Sequence, residues 1–218
     1  MRKLILKMSI SVDGFVAGAK SDIDWIFRSM DLGATDWTME SLWTTGLHIM
    51  GSRTFHDMAS FWPSSTEVFA APMNDIPKAV FSKDPSVTLP SKWTTTQAVR
   101  DAGAAAAAPP VTKSLAEKRR SWTNARVVTG DLAEEIAKLK SEPGQDIMAH
   151  GGASFARSLV RLGLVDEYRL LMHPAARGVG LPLFSGVPKP IALHLVSATA
   201  FGAGAVAHVY QPAPTLKT

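Results

Sequence analysis

Strand-like and helix-like segments alternate along most of this sequence, and this alternation constrains the fold more than any other feature. The strand-like runs are rich in Leu, Ile and Val and cover residues 4–12, 47–50, 78–82, 126–128, 146–149 and 167–173. Two further runs, at 191–196 and 205–210, flank a glycine-containing turn and predict a closing antiparallel pair. Strands separated by helices predict parallel pairing. We therefore expect an α/β fold of three layers, in which helices flank a mixed, mainly parallel sheet.

Residues that commonly cap helices mark three of the predicted helix starts. Ser21 is followed by Asp24 three residues later, and Asp131 is followed in the same way by Glu134, so both pairs fit the capping-box pattern. Asp36 is a candidate N-cap for a helix between them. These starts place helices after the strand-like runs, as the alternation requires.

One domain accounts for nearly all of the chain. It has 218 residues, and 46% of them are hydrophobic, which is enough for one sizeable core. We expect a single domain over residues 1–212 and a tail over 213–218. Residues 85–121 show no sustained period and include the alanine-rich run 104–110, so they predict an irregular insertion.

Composition excludes several kinds of protein. No cysteine is present, which excludes disulfide scaffolds, thiolate nucleophiles and zinc–cysteine sites. The net charge of +4 is concentrated in residues 83–126, where eight basic residues accompany three acids and only two aromatic residues. That pattern does not predict a nucleic-acid partner. No His and acid residues have metal-ligand spacing, so no metal is expected. No apolar run approaches the ~20 residues of a membrane span, and we expect a cytoplasmic protein without a membrane partner.

The strongest local signal is the pair Gly151-Gly152, which lies between a predicted strand and a predicted helix. Without Cβ atoms, the backbone of this turn can approach a ligand closely. The first turn of the helix offers free N–H groups and the positive end of its dipole, an arrangement suited to a pyrophosphate. A plain tight turn is the alternative interpretation of the same residues.

A second strand-to-helix turn, Gly51-Ser52-Arg53-Thr54, repeats this arrangement. Arg53 supplies a cation suited to bidentate phosphate contact, and Thr54 is able to bond a phosphate oxygen. The alternative is that Thr54 caps the helix and Arg53 is a surface residue. Two turns of this kind in one sheet predict a ligand with more than one phosphate group.

The segment around Ser154 also resembles the nucleophile elbow of serine hydrolases, because Gly152-Ala153-Ser154-Phe155-Ala156 is close to the pattern G-x-S-x-G. A catalytic triad would need an acid and a histidine later in the chain. The acids, Asp166 and Glu167, fall at the wrong end of their strand, and the histidines lie within predicted strands: His173, His194 and His208. The hydrolase hypothesis is therefore the weaker one.

Three aspartates near the N-terminus are the candidates for proton chemistry. Asp13 follows the first strand, at the edge where ligands bind in open α/β sheets. Asp22 and Asp24 lie on the first turn of the next predicted helix. The plain alternatives are a turn residue for Asp13 and a capping residue for Asp24.

With these pieces in place, the chain resembles the dihydrofolate reductase-like family. The resemblance is to the branch that includes the C-terminal reductase domain of the bifunctional riboflavin biosynthesis protein. Its motifs occur in family order over nearly the whole chain except roughly residues 85–121. They are Ser11-Val12-Asp13-Gly14-Phe15-Val16-Ala17, Asp24-Trp25, Met50-Gly51-Ser52-Arg53-Thr54-Phe55, Val80-Phe81-Ser82, Gly130-Asp131-Leu132, His150-Gly151-Gly152-Ala153, Leu162-Gly163-Leu164-Val165-Asp166-Glu167 and the block 174–184.

The resemblance implies an NADPH-dependent reductase that binds its cofactor across the carboxyl edge of the sheet. By motif, it places Gly51, Arg53, Thr54 and Ser82 at the adenosine side and Gly151, Gly152, Ala153, Ser154 and Phe155 around the pyrophosphate. The segment 11–17 would cover the nicotinamide, and the substrate would enter beside Asp13 and the helix from Asp22.

The implied substrate is a small heterocycle, and the reaction is the 5-amino-6-(5-phosphoribosylamino)uracil reductase step of riboflavin biosynthesis. The deaminase step is excluded because its zinc ligands include cysteines, and this chain has none. A homodimer is implied as well. A catalytically inactive nucleotide-binding protein is the alternative that keeps the same fold.

Overall fold

The fold is built around one eight-stranded sheet. The structure is a computed structural model, and it describes residues 1–19, 22–86 and 114–213. The strands of this sheet are β1 (Leu4–Ser11), β3 (Thr45–Gly51), β4 (Lys78–Phe81), β5 (Arg126–Val128), β6 (Asp146–His150), β7 (Glu167–His173), β9 (Leu193–Ala200) and β10 (Val206–Pro212). Their order is β5-β4-β3-β6-β1-β7-β10-β9. A separate two-stranded ribbon pairs β2 (Phe15–Ala17) with β8 (Leu181–Pro182).

Six of the strands run parallel to one another, and β10 and β9 complete the sheet through antiparallel pairing, so β10 alone runs in the opposite direction. β1 pairs in parallel with β6 and β7, and β3 pairs in parallel with β4 and β6. β10 pairs antiparallel with both β7 and β9. The predicted mixed, mainly parallel sheet and its closing antiparallel pair are therefore confirmed.

Helices cover both faces of the sheet. They are α1 (Leu32–Trp43), α2 (Ser52–Phe61), α3 (Ala70–Asp75), α4 (Leu115–Thr123), α5 (Leu132–Ser141) and α6 (Ala153–Arg161), with 3₁₀ turns at Asp24–Ser29 and Trp62–Ser64. In the described ranges, at least one helix lies between successive parallel strands, which is the βαβ arrangement that parallel pairing requires. Within the part of the chain that the structure describes, no helix is long and apolar enough to cross a membrane.

Alternate residues of β1 face two separate cores. Leu4 and Leu6 pack with the apolar faces of α5 and α6, where Ile136 and Leu159 are almost completely buried. Ile5 points to the opposite face and packs in a second core formed by α1, α2, α3 and α4. The central strand is thus covered on both sides, which explains why its sequence contains a continuous apolar run.

Two predicted helix starts need correction. The second helix begins at Leu32 because Asp31, not Asp36, is its N-cap: the Asp31 carboxylate accepts from the Ala34 amide at 2.9 Å. Asp24 does not complete a capping box, because it is the first residue of a 3₁₀ turn that lacks a side-chain cap. Ser21, the predicted cap, lies outside the described residues.

The predicted irregular insertion also needs correction at its C-terminal end. Residues 115–123 form α4, which starts with a complete capping box between Ser114 and Glu117. Trp122 anchors this helix, since its Nε1 donates to Asn74 Oδ1 at 2.8 Å and its ring lies 4.6 Å from Lys78 Nζ. The remainder of the predicted insertion, 87–113, and most of the predicted tail, 214–218, lie outside the described residues.

Candidate active site

The two glycine turns lie side by side at the carboxyl edge of the sheet. β3 and β6 are neighbours in the sheet, so the turns that follow them, 51–54 and 151–155, are adjacent. Ser82 follows β4 on one side, and Asp13 follows β1 on the other. The topology therefore brings most of the predicted site residues to one edge, where ligands bind in open α/β sheets.

The contact between the turns leaves no space for a side chain at Gly152. A Cβ atom on Gly152 would lie 2.6 Å from Thr54 Oγ1, and the φ of Gly152 is +75°, a conformation that favours glycine. A Cβ atom on Gly51 would lie 3.4 Å from the Cβ of Phe155. The Phe155 ring in turn packs 5.2 Å from the ring of Phe81 on β4. The two turns form one continuous surface of backbone.

Both helices at this surface begin without a side-chain cap. Among the described helices of nine or more residues, α1, α4 and α5 are capped by Asp31, Ser114 and Asp131. By contrast, α2 and α6 have glycine N-caps, Gly51 and Gly152, and no side-chain cap hydrogen bond. Their first-turn N–H groups remain available to anionic oxygens of a ligand. Thr54 is therefore not the cap of α2.

Arg53 and Ser82 flank this surface. The Arg53 side chain is exposed, and no described residue forms an ion pair or hydrogen bond with it. Ser82 closes a turn, because its Oγ accepts from the Asp84 amide at 3.0 Å and its own amide donates to Val128 O at 3.0 Å. Arg53 thus has the free charge that a phosphate contact needs, while Ser82 retains its hydroxyl proton for donation.

Asp13 holds two loops together. Its Oδ2 accepts from the backbone amides of Arg177 at 2.8 Å and Gly178 at 2.7 Å, and its Oδ1 accepts from Ser11 Oγ at 2.5 Å. The Ser11 hydroxyl, followed by the Gly178 amide, lowers the pKa of the Asp13 carboxyl. Asp13 is consequently a charged acceptor near neutral pH, and the donors around it match the turn-residue interpretation.

Asp22 and Asp24 differ in their surroundings. Asp22 forms an ion pair with the guanidinium of Arg177, whose central carbon lies 5.8 Å from the centroid of the Trp25 ring. Asp24 lies on the exposed side of the 3₁₀ turn, where it pairs with Arg28 at 3.8 Å. Of the two, only Asp22 is joined to the loop that Asp13 also holds.

Lys7 is a further candidate site residue, which no motif of the sequence indicates. It lies on β1 directly beside His150 on β6, and on the β1 face that also carries Ser9 and Ser11. No described residue supplies an acidic partner to its ammonium group, and burial lowers its pKa to about 8. A perturbed lysine without a partner is typical of functional sites. The one sequence signal was a lysine inside an apolar strand.

Two buried histidines, His150 on β6 and His173 on β7, lie on the same face of the sheet as Lys7. We call this face, defined by Lys7, His150 and His173, the polar floor. His150 packs 4.2 Å from the ring of His48 on β3, and burial together with the charge of Lys7 lowers its pKa to about 3. On β7, the buried His173 contacts Ser29 Oγ through Nδ1 at 2.8 Å, and burial lowers its pKa to about 4. Both imidazoles are therefore neutral at pH 7. Lys7 therefore lies directly beside the neutral ring of His150.

The family follows from the whole chain rather than from one motif. The sequence profile of the family described as the RibD C-terminal domain matches residues 2–207. The chain belongs to the RibD C-terminal domain family. In sequence, this RibD C-terminal domain protein is 30% identical over 210 residues to the uncharacterized protein YyaP of Bacillus subtilis (strain 168), covering 96% of this chain and 95% of YyaP.

Two solved structures share the RibD-type fold. One is a diaminohydroxyphosphoribosylaminopyrimidine deaminase/5-amino-6-(5-phosphoribosylamino)uracil reductase from Thermotoga maritima, with a TM-score of 0.63 and 15% identity over 97% of this chain and 57% of that chain. The other is the dihydrofolate reductase of Enterococcus faecalis in complex with NADP(H), with a TM-score of 0.55 and 11% identity over 97% of both chains. The expected dihydrofolate reductase-like fold is confirmed.

The surroundings of Ser154 in this RibD-type domain do not assemble a hydrolase triad. Ser154 is exposed on the first turn of α6, and no histidine of the described chain is hydrogen-bonded to it. His173 is committed to Ser29, and His208 packs 5.6 Å from Tyr210. Gly152, the one glycine of the segment that resembles a nucleophile elbow, instead makes room for Thr54 of α2.

Proposed function

We propose that this protein is an NADPH-dependent reductase of the riboflavin-biosynthesis type. Its substrate is then 5-amino-6-(5-phosphoribosylamino)uracil or a related heterocyclic small molecule. The carrying observation is the contact between Gly152 and Thr54, which joins two uncapped helix N-termini into one anion-binding surface. Membership of the RibD C-terminal domain family and the fold shared with a dihydrofolate reductase that binds NADP(H) support the same cofactor.

The residues of this surface suit the phosphates of NADPH. The N–H groups at the start of α6, from Ala153 to Phe155, face the pyrophosphate in this proposal, and Gly151 and Gly152 leave room for it. Arg53 and Thr54 at the start of α2 bind the additional phosphate that distinguishes NADPH from NADH. Ser82 donates to the neighbouring ribose. When bound, NADPH supplies the hydride for the reduction, and the protein provides position and charge.

Lys7 is the best candidate for the group that donates the proton accompanying the reduction. Asp13 is one of the three aspartates that the sequence offers for this role, but its lowered pKa keeps the carboxyl charged and unable to donate. The pKa of Lys7, about 8, leaves its ammonium protonated at pH 7 and close to the range in which general acids are efficient. Neutral His150 beside it adds a hydrogen-bonding group without competing charge. Asp22, which pairs with Arg177, and Asp24, which pairs with Arg28, are the other candidates for this role.

A coupled pair of assays tests the proposal. NADPH oxidation is followed at 340 nm with 5-amino-6-(5-phosphoribosylamino)uracil as the acceptor, and the ribityl product is identified by mass spectrometry. We expect one NADPH to be consumed per product formed. NADPH binding without consumption across pyrimidine, pterin and quinone acceptors would instead indicate a nucleotide-binding protein that has lost turnover.

A homodimer is part of the proposed function, and the edge strand β9 supports it. Seven of the eight residues of β9 are exposed, Leu195 and Val196 being 47% and 50% exposed, and the strand carries no lysine, proline or acid. Natural edge strands usually carry such residues to prevent pairing with another chain. Light scattering after gel filtration tests this: wild type elutes as a dimer and Leu195→Lys as a monomer. A monomeric wild type would contradict it.

A further inference from the structure

Arg177, in the loop between β7 and β8, is fastened by two carboxylates that come from different parts of the chain. Its backbone amide donates to Asp13 Oδ2 at 2.8 Å, and its guanidinium forms an ion pair with Asp22. The side chain is about one-quarter exposed. Asp13 and Asp22 are separated from Arg177 by more than 150 residues, so local chain geometry does not bring these groups together. Two independent attachments define the position of one residue.

The first attachment joins the loop after β1 to the loop after β7. The Val12 amide donates to Ala175 O at 3.0 Å, and the Leu183 amide donates to Gly14 O at 3.1 Å. The ribbon of β2 and β8 continues this pairing. At its end the two segments are so close that a Cβ atom on Gly180 would lie 2.4 Å from Ala17 O. The segment 11–17 is therefore held in place by the β7–β8 loop.

The second attachment joins the same loop to the 3₁₀ turn. The Arg177 guanidinium lies over the Trp25 ring, a cation–π arrangement. Trp25 is buried and meets the ring of His173 edge-on at 5.5 Å. His173 pairs across the sheet with Ser11. Arg177 thus connects the segment after β1 with Trp25 and, through the contact of Trp25 with His173, with the polar floor.

We propose that Arg177 is a positioning residue for the reaction, because its backbone amide fixes the segment 11–17 and its guanidinium fixes the residues from Asp22 to Trp25 relative to the polar floor that contains Lys7. This inference rests on the proposed function. Its attachments are on the β1–β7 side of the site, whereas the glycine turns follow β3 and β6. Arg177 therefore affects how the substrate is held and leaves the binding of the cofactor phosphates unchanged.

The experiment compares Arg177→Met with Arg28→Met in the full-length protein. Arg28 is a matched control, since it also pairs with an aspartate of the 3₁₀ region but lies on the exposed side. Arg177→Lys is a conservative variant that retains the charge opposite Asp22. Amide hydrogen exchange is measured at Gly18, whose amide donates to Asp22 O at 3.0 Å and therefore reports on the segment that the Arg177 guanidinium holds, with Ile147 in the sheet as the reference. Turnover of 5-amino-6-(5-phosphoribosylamino)uracil and the Kd for NADPH are measured on the same samples.

For Arg177→Met we expect exchange at Gly18 to accelerate about tenfold, with Ile147 unchanged. We expect kcat/KM to fall about tenfold or more, while the Kd for NADPH stays within about twofold, as for sites without shared partners. Arg177→Lys should recover part of the loss, and Arg28→Met should behave as wild type. Unchanged exchange or unchanged kcat/KM in Arg177→Met would overturn the proposal. If the wild type shows no turnover, the proposed function is wrong. The exchange data still decide whether Arg177 holds these segments in place.

Discussion

Gly152 and Thr54 belong to different strand–helix units, yet a Cβ atom on Gly152 would lie 2.6 Å from the Thr54 hydroxyl oxygen. This approach is possible because β3 and β6 are adjacent and parallel, so both following helices start at the same edge. It leaves two uncapped helix N-termini side by side. The proposed cofactor site depends on this contact more than on either turn alone.

Replacing Gly152 with alanine should abolish tight NADPH binding. The new methyl group would displace Thr54 and intrude on the surface assigned to the pyrophosphate. Gly163→Ala is the matched control, because Gly163 also has a positive φ, +65°, but a Cβ atom added there would have no other atom within 4 Å. Both variants should lose about 1–2 kcal/mol of stability from the left-handed backbone. Isothermal titration with NADPH should show loss of affinity in Gly152→Ala alone; equal affinities would mean that the turn is only structural.

Replacing Arg53 with alanine should distinguish the two nicotinamide cofactors. Arg53 is exposed and has no partner in the described chain, so its loss should leave the melting temperature unchanged. A charge-assisted hydrogen bond to phosphate contributes about 1.5–3 kcal/mol, so the Kd for NADPH should rise about 10-fold to 100-fold. The Kd for NADH should hardly change. If both cofactors weaken equally, Arg53 does not contact the additional phosphate.

Replacing Lys7 with methionine should remove turnover while retaining the cofactor. Loss of a general acid typically costs about 10²–10⁴-fold in rate, whereas the glycine turns are untouched. The melting temperature should rise, because burial disfavours the charged form of Lys7 and methionine carries no charge. Lys138→Met, at an exposed ion pair with Glu135, is the control. Full turnover in Lys7→Met would exclude it as the proton donor.

The wild-type pH profile gives a second check on Lys7. If its ammonium donates the proton, kcat should fall as the pH rises above about 8, where Lys7 loses that proton. Steady-state rates between pH 6 and 10 at saturating NADPH measure this limb. A flat profile through pH 9 would contradict the assignment.

Acid should destabilise the protein below pH 6.5 because its central histidines are buried in the neutral form. The folded-state pKa values of His150 and His173 are about 3 and about 4, well below that of a histidine in the unfolded chain. Between pH 6.5 and 4 the unfolded state therefore binds protons that the folded state does not. The free energy of unfolding should fall by up to about 1.4 kcal/mol per pH unit for each histidine. Urea titrations at several pH values give the free energy of unfolding of wild type and His173→Asn. The plot of this free energy against pH should be less steep for the variant; equal steepness would contradict burial of a neutral His173.

The strands were predictable because their signal is local. An apolar run between turn residues specifies a strand that is covered on both faces, and the predicted ends of β1 and β6 differ from the observed ends by one residue. The N-cap of α5 followed from Asp131 in the same way, since its carboxylate accepts from the Ala133 and Glu134 amides. Local chemistry and the fold agree at these positions.

Features that depend on distant contacts were missed. The start of α1 contains Gly33, which argues against a helix there, but Phe201 from the β9–β10 turn packs against this position and would lie 3.0 Å from a Cβ atom on it. α4 is polar, and what secures it is the contact of Trp122 with Asn74. The role of Asp13 was open for the same reason, because its partners lie in the β7–β8 loop.

The most direct test of the proposed cofactor site is a thermal shift measured with NADPH, NADH, FMN and no ligand. A ligand at 100 times its Kd stabilises the folded state by about 2.7 kcal/mol, which for a protein of this size raises Tm by roughly 5–10 °C. We expect that rise with NADPH, a smaller one with NADH and none with FMN. An unchanged Tm in NADPH would contradict the central claim that the paired glycine turns form an NADPH site.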